Sequence, residues 1–141
     1  MSFILKNGFD EATPLYCGTS STVVVNQVVT FDRSNGIVIP ATASLLCEDL
    51  AGVAQNTPAS ADTTVNVIPF TGDQEWEWDC TSNTATNQLN KRSILTDGVT
   101  VANTSTDQAV DEITVTPYAN VGAASDKKQR GAVVLVPATL S

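Results

Sequence analysis

Histidine is absent from the 141 residues. That removes the usual general base, the proton shuttle and the commonest metal ligand. Cysteine is scarce: Cys17, Cys47 and Cys80 are widely spaced and odd in number. No CxxC pair exists, which argues against a zinc site, and the odd count argues against a disulfide framework. The three are read as reduced thiols acting as small buried apolar groups of a protein made in a cytoplasm, with a Cys47–Cys80 bridge as the alternative. Basic residues are few, 7 Lys and Arg against 15 Asp and Glu, for a net charge of −8. Neutralising phosphates needs clustered Lys and Arg, so a nucleic-acid partner is not expected. No apolar run approaches the roughly 18 residues of a membrane span, so no membrane partner is expected either. Phe3-Ile4-Leu5 is too short for a signal peptide's apolar stretch, and Lys6 interrupts it.

What the chain does have is Val and Thr, which suit pleated half-buried surfaces, and Ser, Asn and Gly, which suit turns. The expectation is an all-β fold with little helix. A chain this long makes about one domain and buries about 70% of its unfolded surface without disulfide or metal. A small compact β-barrel or tulip-like domain over residues 21–141 is expected, preceded by an extended N-terminal arm over 1–20.

One stretch organises the rest. Gly36-Ile37-Val38-Ile39-Pro40-Ala41-Thr42 recurs as Gly98-Val99-Thr100-Val101-Ala102-Asn103-Thr104, an offset of 98 − 36 = 62. In each, Gly follows a turn-former, Asn35 or Asp97, and apolar side chains stand at the second and fourth positions. The same offset carries Asp49 to Asp111 and Val53 to Val115. This indicates an internal duplication, with pseudo-repeats over about 27–70 and 88–136. The alternative is two unrelated hairpins that share Asn-Gly and Asp-Gly turns.

In chain order, residues 1–20 hold Phe3, Ile4, Leu5 and Phe9 with poor alternation and dense turn signals. Such an arm lies on its own core, adds an edge strand, or docks on a partner. Strands are expected in Thr22–Phe31, Ile37–Ile39, Thr63–Phe70, Val99–Val101, Ile113–Thr116 and Ala132–Val136. Residues 43–53 fit a short helix stripe or a strand ending at Ala51-Gly52-Val53-Ala54, and the strand is favoured. The clearest strand is Gln74–Cys80, where Trp76, Trp78 and Cys80 alternate with Glu75, Glu77 and Asp79. Residues 119–131, with the basic cluster Lys127-Lys128-Gln129-Arg130, read as an exposed loop.

Three arrangements could carry chemistry. Glu75, Glu77 and Asp79 share a strand face, and i, i+2 neighbours are spaced compatibly with a glycosidase pair; a solvated face, or an edge protected by charge, fits the same pattern and is preferred. No Asp-x-Asp-x-Asp-Gly loop supports Ca²⁺ at these carboxylates. Trp76 and Trp78 could form a sugar platform, as in a carbohydrate-binding β-sandwich or fibre module, or fill the core or a subunit interface. Without His, a GxSxG motif or a glycine-rich phosphate loop, no enzyme activity and no cofactor are expected.

The segments Val28-Val29-Thr30-Phe31-Asp32, Asn35-Gly36, Ala51-Gly52-Val53-Ala54, Ala59-Ser60-Ala61-Asp62 and Gly131-Ala132-Val133-Val134-Leu135-Val136 resemble those of tailed-bacteriophage head decoration (capsid cement) proteins. The likeness spans roughly residues 22–136; the Trp76/Trp78 strand and the polar loop after it have no counterpart in it. The resemblance implies a non-enzymatic virion protein, made in the host cytoplasm, that binds the capsid exterior. Its partner would be the major capsid protein, and it would often act as a trimer. Beside it, Phe3, Ile4, Leu5, Phe9, Trp76 and Trp78 are the residues expected at capsid or subunit contacts.

Overall fold

The computed structural model describes residues 3–41, 49–95, 99–104 and 113–134. They form eleven strands: β1 (Ile4–Asn7), β2 (Thr13–Tyr16), β3 (Val28–Asp32), β4 (Ile37–Pro40), β5 (Leu50–Ala54), β6 (Thr64–Pro69), β7 (Glu75–Cys80), β8 (Ser93–Leu95), β9 (Thr100–Ala102), β10 (Thr114–Val121) and β11 (Lys128–Val133). The all-β expectation holds. One sheet has the order β2-β6-β5-β3-β4. The other runs β1-β7-β11-β10-β8-β9, and a parallel pairing of β7 with β9 closes five of its strands into a small barrel. The turn at Asn35-Gly36 forms as expected: Gly36 sits at φ 69° and donates its N–H to Asp32 O. The turn expected at Asp97-Gly98, and residues 43–48, 135 and 136 of other expected elements, lie outside the described residues.

The two sheets are built on one plan. Leaving out β1, each has five strands in the order first-fifth-fourth-second-third. The registers agree as well. Leu15 pairs with Val65 as Trp78 pairs with Gln129, and Phe31 pairs with Val38 as Leu95 pairs with Val101. Val29 pairs with Gly52 as Ser93 pairs with Val115, and Gly52 with Pro69 as Val115 with Val133. One rule relates all four ladders. The first, third and fourth strands move by 63 residues (78 − 15), and the second and fifth by 64 (129 − 65). A one-residue slip would turn every side chain of a strand to the other face, so agreement in four ladders is a strong constraint. The duplicated unit is thus longer than the sequence spacing of 62 indicates. It covers residues 13–69 and 75–133, and each copy begins one strand earlier than the turns suggest.

Among the described residues, two apolar clusters form. One lies within the first unit: Cys17, Val23, Val29, Val38, Ala51, Ala54, Val65 and Val67. The other combines the inward side chains of the second unit, among them Trp76, Trp78, Cys80, Leu95, Val101 and Val115, with Val28, Val53 and Ile68 from the first. Residues 28 and 53 face this second cluster while 29 and 54 face the first, so β3 and β5 are apolar on both sides. That explains why Val28-Val29 reads as a continuous apolar run rather than an alternation.

The N-terminal segment belongs to this architecture. Strand β1 pairs with β7 and β2 pairs with β6, so the segment joins both sheets as strands. Phe3 is buried at 1% exposure in the larger cluster, with its ring 5.7 Å from that of Trp78. Its N–H donates to Asn26 O of the first unit at 2.9 Å. Of the readings open to the arm, the structure takes the one in which it lies on its own domain.

The loop expected over residues 119–131 is corrected by the structure. Strand β10 runs on to Val121 and β11 starts at Lys128. The basic cluster alternates in the strand, with Gln129 and Gly131 buried and Lys128 and Arg130 half-buried. The outward cations face acidic partners on β7, a cross-strand pairing that a one-segment pattern does not reveal.

Trp78 is fully buried, and its indole N–H finds no oxygen acceptor, only the weakly accepting sulfur of Cys80. Trp78→Ala is expected to cost about 3–5 kcal/mol in equilibrium unfolding. Trp78→Phe, which keeps an aromatic ring and gives up only this weak contact, is expected to cost well under half of that. Equal losses for the two would mean that the indole N–H carries the cost and the ring does not.

Candidate functional site

Strand β7 presents both sets of residues singled out by the alternation. Trp76, Trp78 and Cys80 point inward, at 1%, 0% and 5% exposure. Trp76 meets Phe70 edge-on with 5.4 Å between ring centroids, and Trp78 meets Phe3. Neither ring offers a surface for stacking a sugar. Of the other residues expected at contacts, Phe3 is core and Leu5 is half-buried against it, while Ile4 (41% exposed) and Phe9 (40%) face outward.

The carboxylates on the outer face of β7 are each matched by a cation. Glu75 Oε1 lies 3.5 Å from Arg130 Nε, Glu77 Oε2 lies 3.1 Å from Lys6 Nζ, and Asp79 Oδ1 accepts a hydrogen bond from Lys128 Nζ at 2.7 Å. The cations come from β1 and β11, the strands on either side of β7. Burial pushes the Asp79 carboxyl up, but the Lys128 ammonium and further positive charge outweigh it, so Asp79 sits below the ordinary carboxylate range. A glycosidase needs one carboxyl held protonated near neutral pH. The shift at Asp79 runs the other way. The face is a row of ion pairs across two strand boundaries; because β7 has neighbours on both sides, it is not an edge protected by charge, and of the two structural readings the solvated face is the one the structure takes.

Sequence reasoning missed a set of buried amides. Gln129, fully buried, donates through Nε2 to Gln88 Oε1 and Asn120 Oδ1, both at 3.0 Å, while its Oε1 accepts from Cys80 Sγ at 3.4 Å. Asn103, 2% exposed, donates from Nδ2 to Gln88 Oε1 and to the carbonyls of Ser82 and Asn83; its Oδ1 accepts from Ser82 N. These bonds pin the loop after β7 to the inside of the barrel, and satisfied amides in a low-dielectric interior specify one arrangement. A polar cleft of about 150 Å³ lies here, lined by Asn87, Gln88, Lys91, Ser93, Asn103 and Thr104. A third amide, Gln74, sits between the units. Its Nε2 donates to the carbonyls of Phe9 and Pro69, each at 2.8 Å, and its Oε1 accepts from Thr71 N. The signal for Gln129 was its parity: it shares a face with Gly131 and Val133.

Cys17 and Cys80 are free thiols, both buried, and occupy equivalent places at the end of the first strand of each unit, Cys17 just after β2 and Cys80 as the last residue of β7. Cys17 donates its N–H to Thr63 O as Cys80 donates to Lys127 O. Burial, with a smaller contribution from the Asp79 charge, pushes the Cys80 thiol up to about 12. Cys47 lies outside the described residues. Among the described residues no group of three or more His, Cys, Asp or Glu is arranged to hold a metal ion, and no helix is long and apolar enough to cross a membrane.

No protein-family model, no curated protein and no solved structure matches the chain.

Two outcomes are expected from this geometry. A carboxylate held below its ordinary pKa contributes stability above the unfolded value, and that stability is lost as pH falls through the folded value. Asp79→Asn should therefore lower the melting temperature at pH 6, and the difference should shrink as pH falls through the lowered folded pKa of Asp79, below which both chains carry a neutral group. A deficit that persists unchanged into acid would assign the loss to packing. For the thiols, alkylation at pH 8 is expected to leave Cys80 unmodified in the folded protein and to label all three cysteines in denaturant without reductant. Only one labelled site in denaturant would mean a disulfide is present.

Proposed function

We propose that the protein is a structural, non-enzymatic component of a tailed-phage virion that decorates the outside of the head and cements the shell. The reading rests on the resemblance of its β-segments to capsid cement proteins, and the geometry supports it in one respect above others. The large side chains of the N-terminal segment divide between inside and outside: Phe3 anchors the segment in the core while Ile4 and Phe9 stay exposed. Val24 and Val25, at 48% and 41% exposure, precede Asn26, the residue bonded to Phe3 N. Apolar side chains held outward on a rigid frame suit docking on a large preformed surface, because little ordering entropy remains to be lost on binding. The partner is the major capsid protein, with the decorating unit a homo-oligomer, a trimer in the favoured arrangement. The ion-paired β7 face and the buried tryptophans leave neither of them free for hydrolysis or sugar stacking.

The test is co-sedimentation with undecorated shells and with free coat subunits. Binding to shells alone is expected. Ile4→Asp and Phe9→Asp together should lower shell occupancy at least about tenfold, a loss of about 1.4 kcal/mol, with an unchanged melting temperature. Undiminished occupancy would move the docking surface elsewhere, and no binding to any shell would overturn the reading.

A further inference from the structure

The sequence holds two Asn-Gly pairs, Asn7-Gly8 and Asn35-Gly36. Such a pair carries the parts of a reaction. The backbone nitrogen of the glycine is the nucleophile and the side-chain amide carbon of the asparagine is the electrophile. Glycine has no side chain to hinder the approach. Both pairs are exposed to solvent, so access does not separate them. Their hydrogen bonds do.

At Asn35 the reacting groups are held apart. Asn35 Nδ2 donates to Asp32 Oδ2 at 2.8 Å, which pins the leaving amide. Gly36 N donates to Asp32 O at 2.8 Å, so the nucleophile is engaged by another residue's carbonyl. The charge of the Asp32 carboxylate also opposes the oxyanion that addition at Asn35 Cγ would create. At Asn7 the same groups are brought together. Gly8 N donates to Asn7 Oδ1 at 2.9 Å, which sets the glycine nitrogen beside the amide carbon. Among the described residues none holds Asn7 Nδ2. Proximity of this kind is what speeds an intramolecular addition. The fold also requires glycine at position 8: its φ is 101°, and a methyl group there would stand 2.6 Å from Asp73 O. A bulkier residue, which would slow the reaction, does not fit.

We propose that Asn7 is a self-modifying site, converted in the folded protein to aspartate and isoaspartate, and that the conversion loosens the hold of β1 on β7. Solvent base takes the Gly8 N–H proton, and the nitrogen bonds to Asn7 Cγ. The Cγ–Nδ2 bond breaks, and the amide takes up a proton and leaves as ammonia. The product is a cyclic succinimide, which water then opens. Cleavage between the nitrogen and Cγ gives aspartate; cleavage between the nitrogen and the backbone carbonyl carbon gives isoaspartate. One water is consumed and one ammonia released, and the reaction needs only the chain and solvent, whatever the protein binds. Both products act on the same strand pairing. Asn7 stands opposite Glu75 in the ladder, so a carboxylate there sets like charges across the strands. Isoaspartate also lengthens the backbone of β1 by a further carbon, where the register already shifts between Leu5 and Asn7.

The test uses full-length protein kept folded in mildly alkaline buffer. Peptide mapping by mass spectrometry reads the amide-to-acid mass gain, and enzymatic methylation of isoaspartate reads the branched product. Position 7 is expected to convert at least about tenfold faster than position 35. In denaturant, where the fold positions neither pair, the two rates should come within about twofold of each other. Equal rates in the folded protein, or a faster position 35, would overturn the proposal. Hydrogen exchange supplies the second readout. The amides of the β1–β7 ladder should exchange at least about tenfold faster in the converted protein than in fresh protein. Asn7→Gln, stored in the same way, should keep the fresh protein's protection, because its longer side chain would have to close a larger ring. Conversion at position 7 with unchanged exchange, or an Asn7→Gln chain that loses protection at the wild-type rate, would equally overturn it.

Discussion

Six residues of backbone, Glu75–Cys80, hold the molecule together. Strand β7 gives one edge to β11, and divides the other between β1 at its start and β9 at its end. The parallel pairing with β9 closes the barrel, and the pairing with β1 brings Phe3 onto Trp78. Its inward side chains supply the two largest members of the core. Its outward side chains supply the carboxylates for three ion pairs with the flanking strands. Burying a large aromatic side chain is worth several kcal/mol, whereas surface ion pairs are worth about 0–1 kcal/mol each. The tryptophans therefore set the stability of this strand, while the charges favour one register of its neighbours and oppose alternatives.

The shared plan of the two units goes with two apolar clusters and one asymmetry among the described residues. The second unit receives β1 on the outer edge of its first strand, while no described strand pairs with the equivalent edge of the first unit. The added strand does more than fill an edge. Phe3 N bonds to the first unit while its ring packs in the cluster shared by both, so β1 works as a clasp between them. Gln74 reinforces the same junction from the linker, with one amide holding the carbonyls of Phe9 and Pro69.

Much of this was legible in the sequence where local pattern and tertiary role agree. The Trp76/Trp78 alternation marked β7 to within one residue, Gln74–Cys80 against Glu75–Cys80, because a strand with one buried face must alternate. The Asn35-Gly36 turn and the existence of a repeat were also visible. The repeat length read from turns was 62, because turn glycines drift by a residue or two in loops of different length. The ladders, which do not drift, give 63 and 64. Strand β11 was hidden because Lys128, Gln129 and Arg130 look like a solvated loop. Their environment comes from residues about fifty positions away: Asp79 and Glu75 for the cations, Cys80 and Gln88 for the glutamine. The inward and outward division of the N-terminal segment, Phe3 against Ile4 and Phe9, was likewise invisible in a stretch without alternation.

The rest depends on the N-terminal strand being part of the folded body, and the proposed shell binding depends in turn on the side chains that strand displays. The direct measurement is equilibrium unfolding of a chain lacking residues 1–12, which removes β1 and Phe3 and leaves β2 intact. The account predicts a loss of at least about 3 kcal/mol, or no cooperative transition at all, since a buried phenylalanine and a strand pairing disappear together. A truncated chain that unfolds at the same midpoint and with the same slope as the full-length protein would contradict it, and would make the segment a free arm.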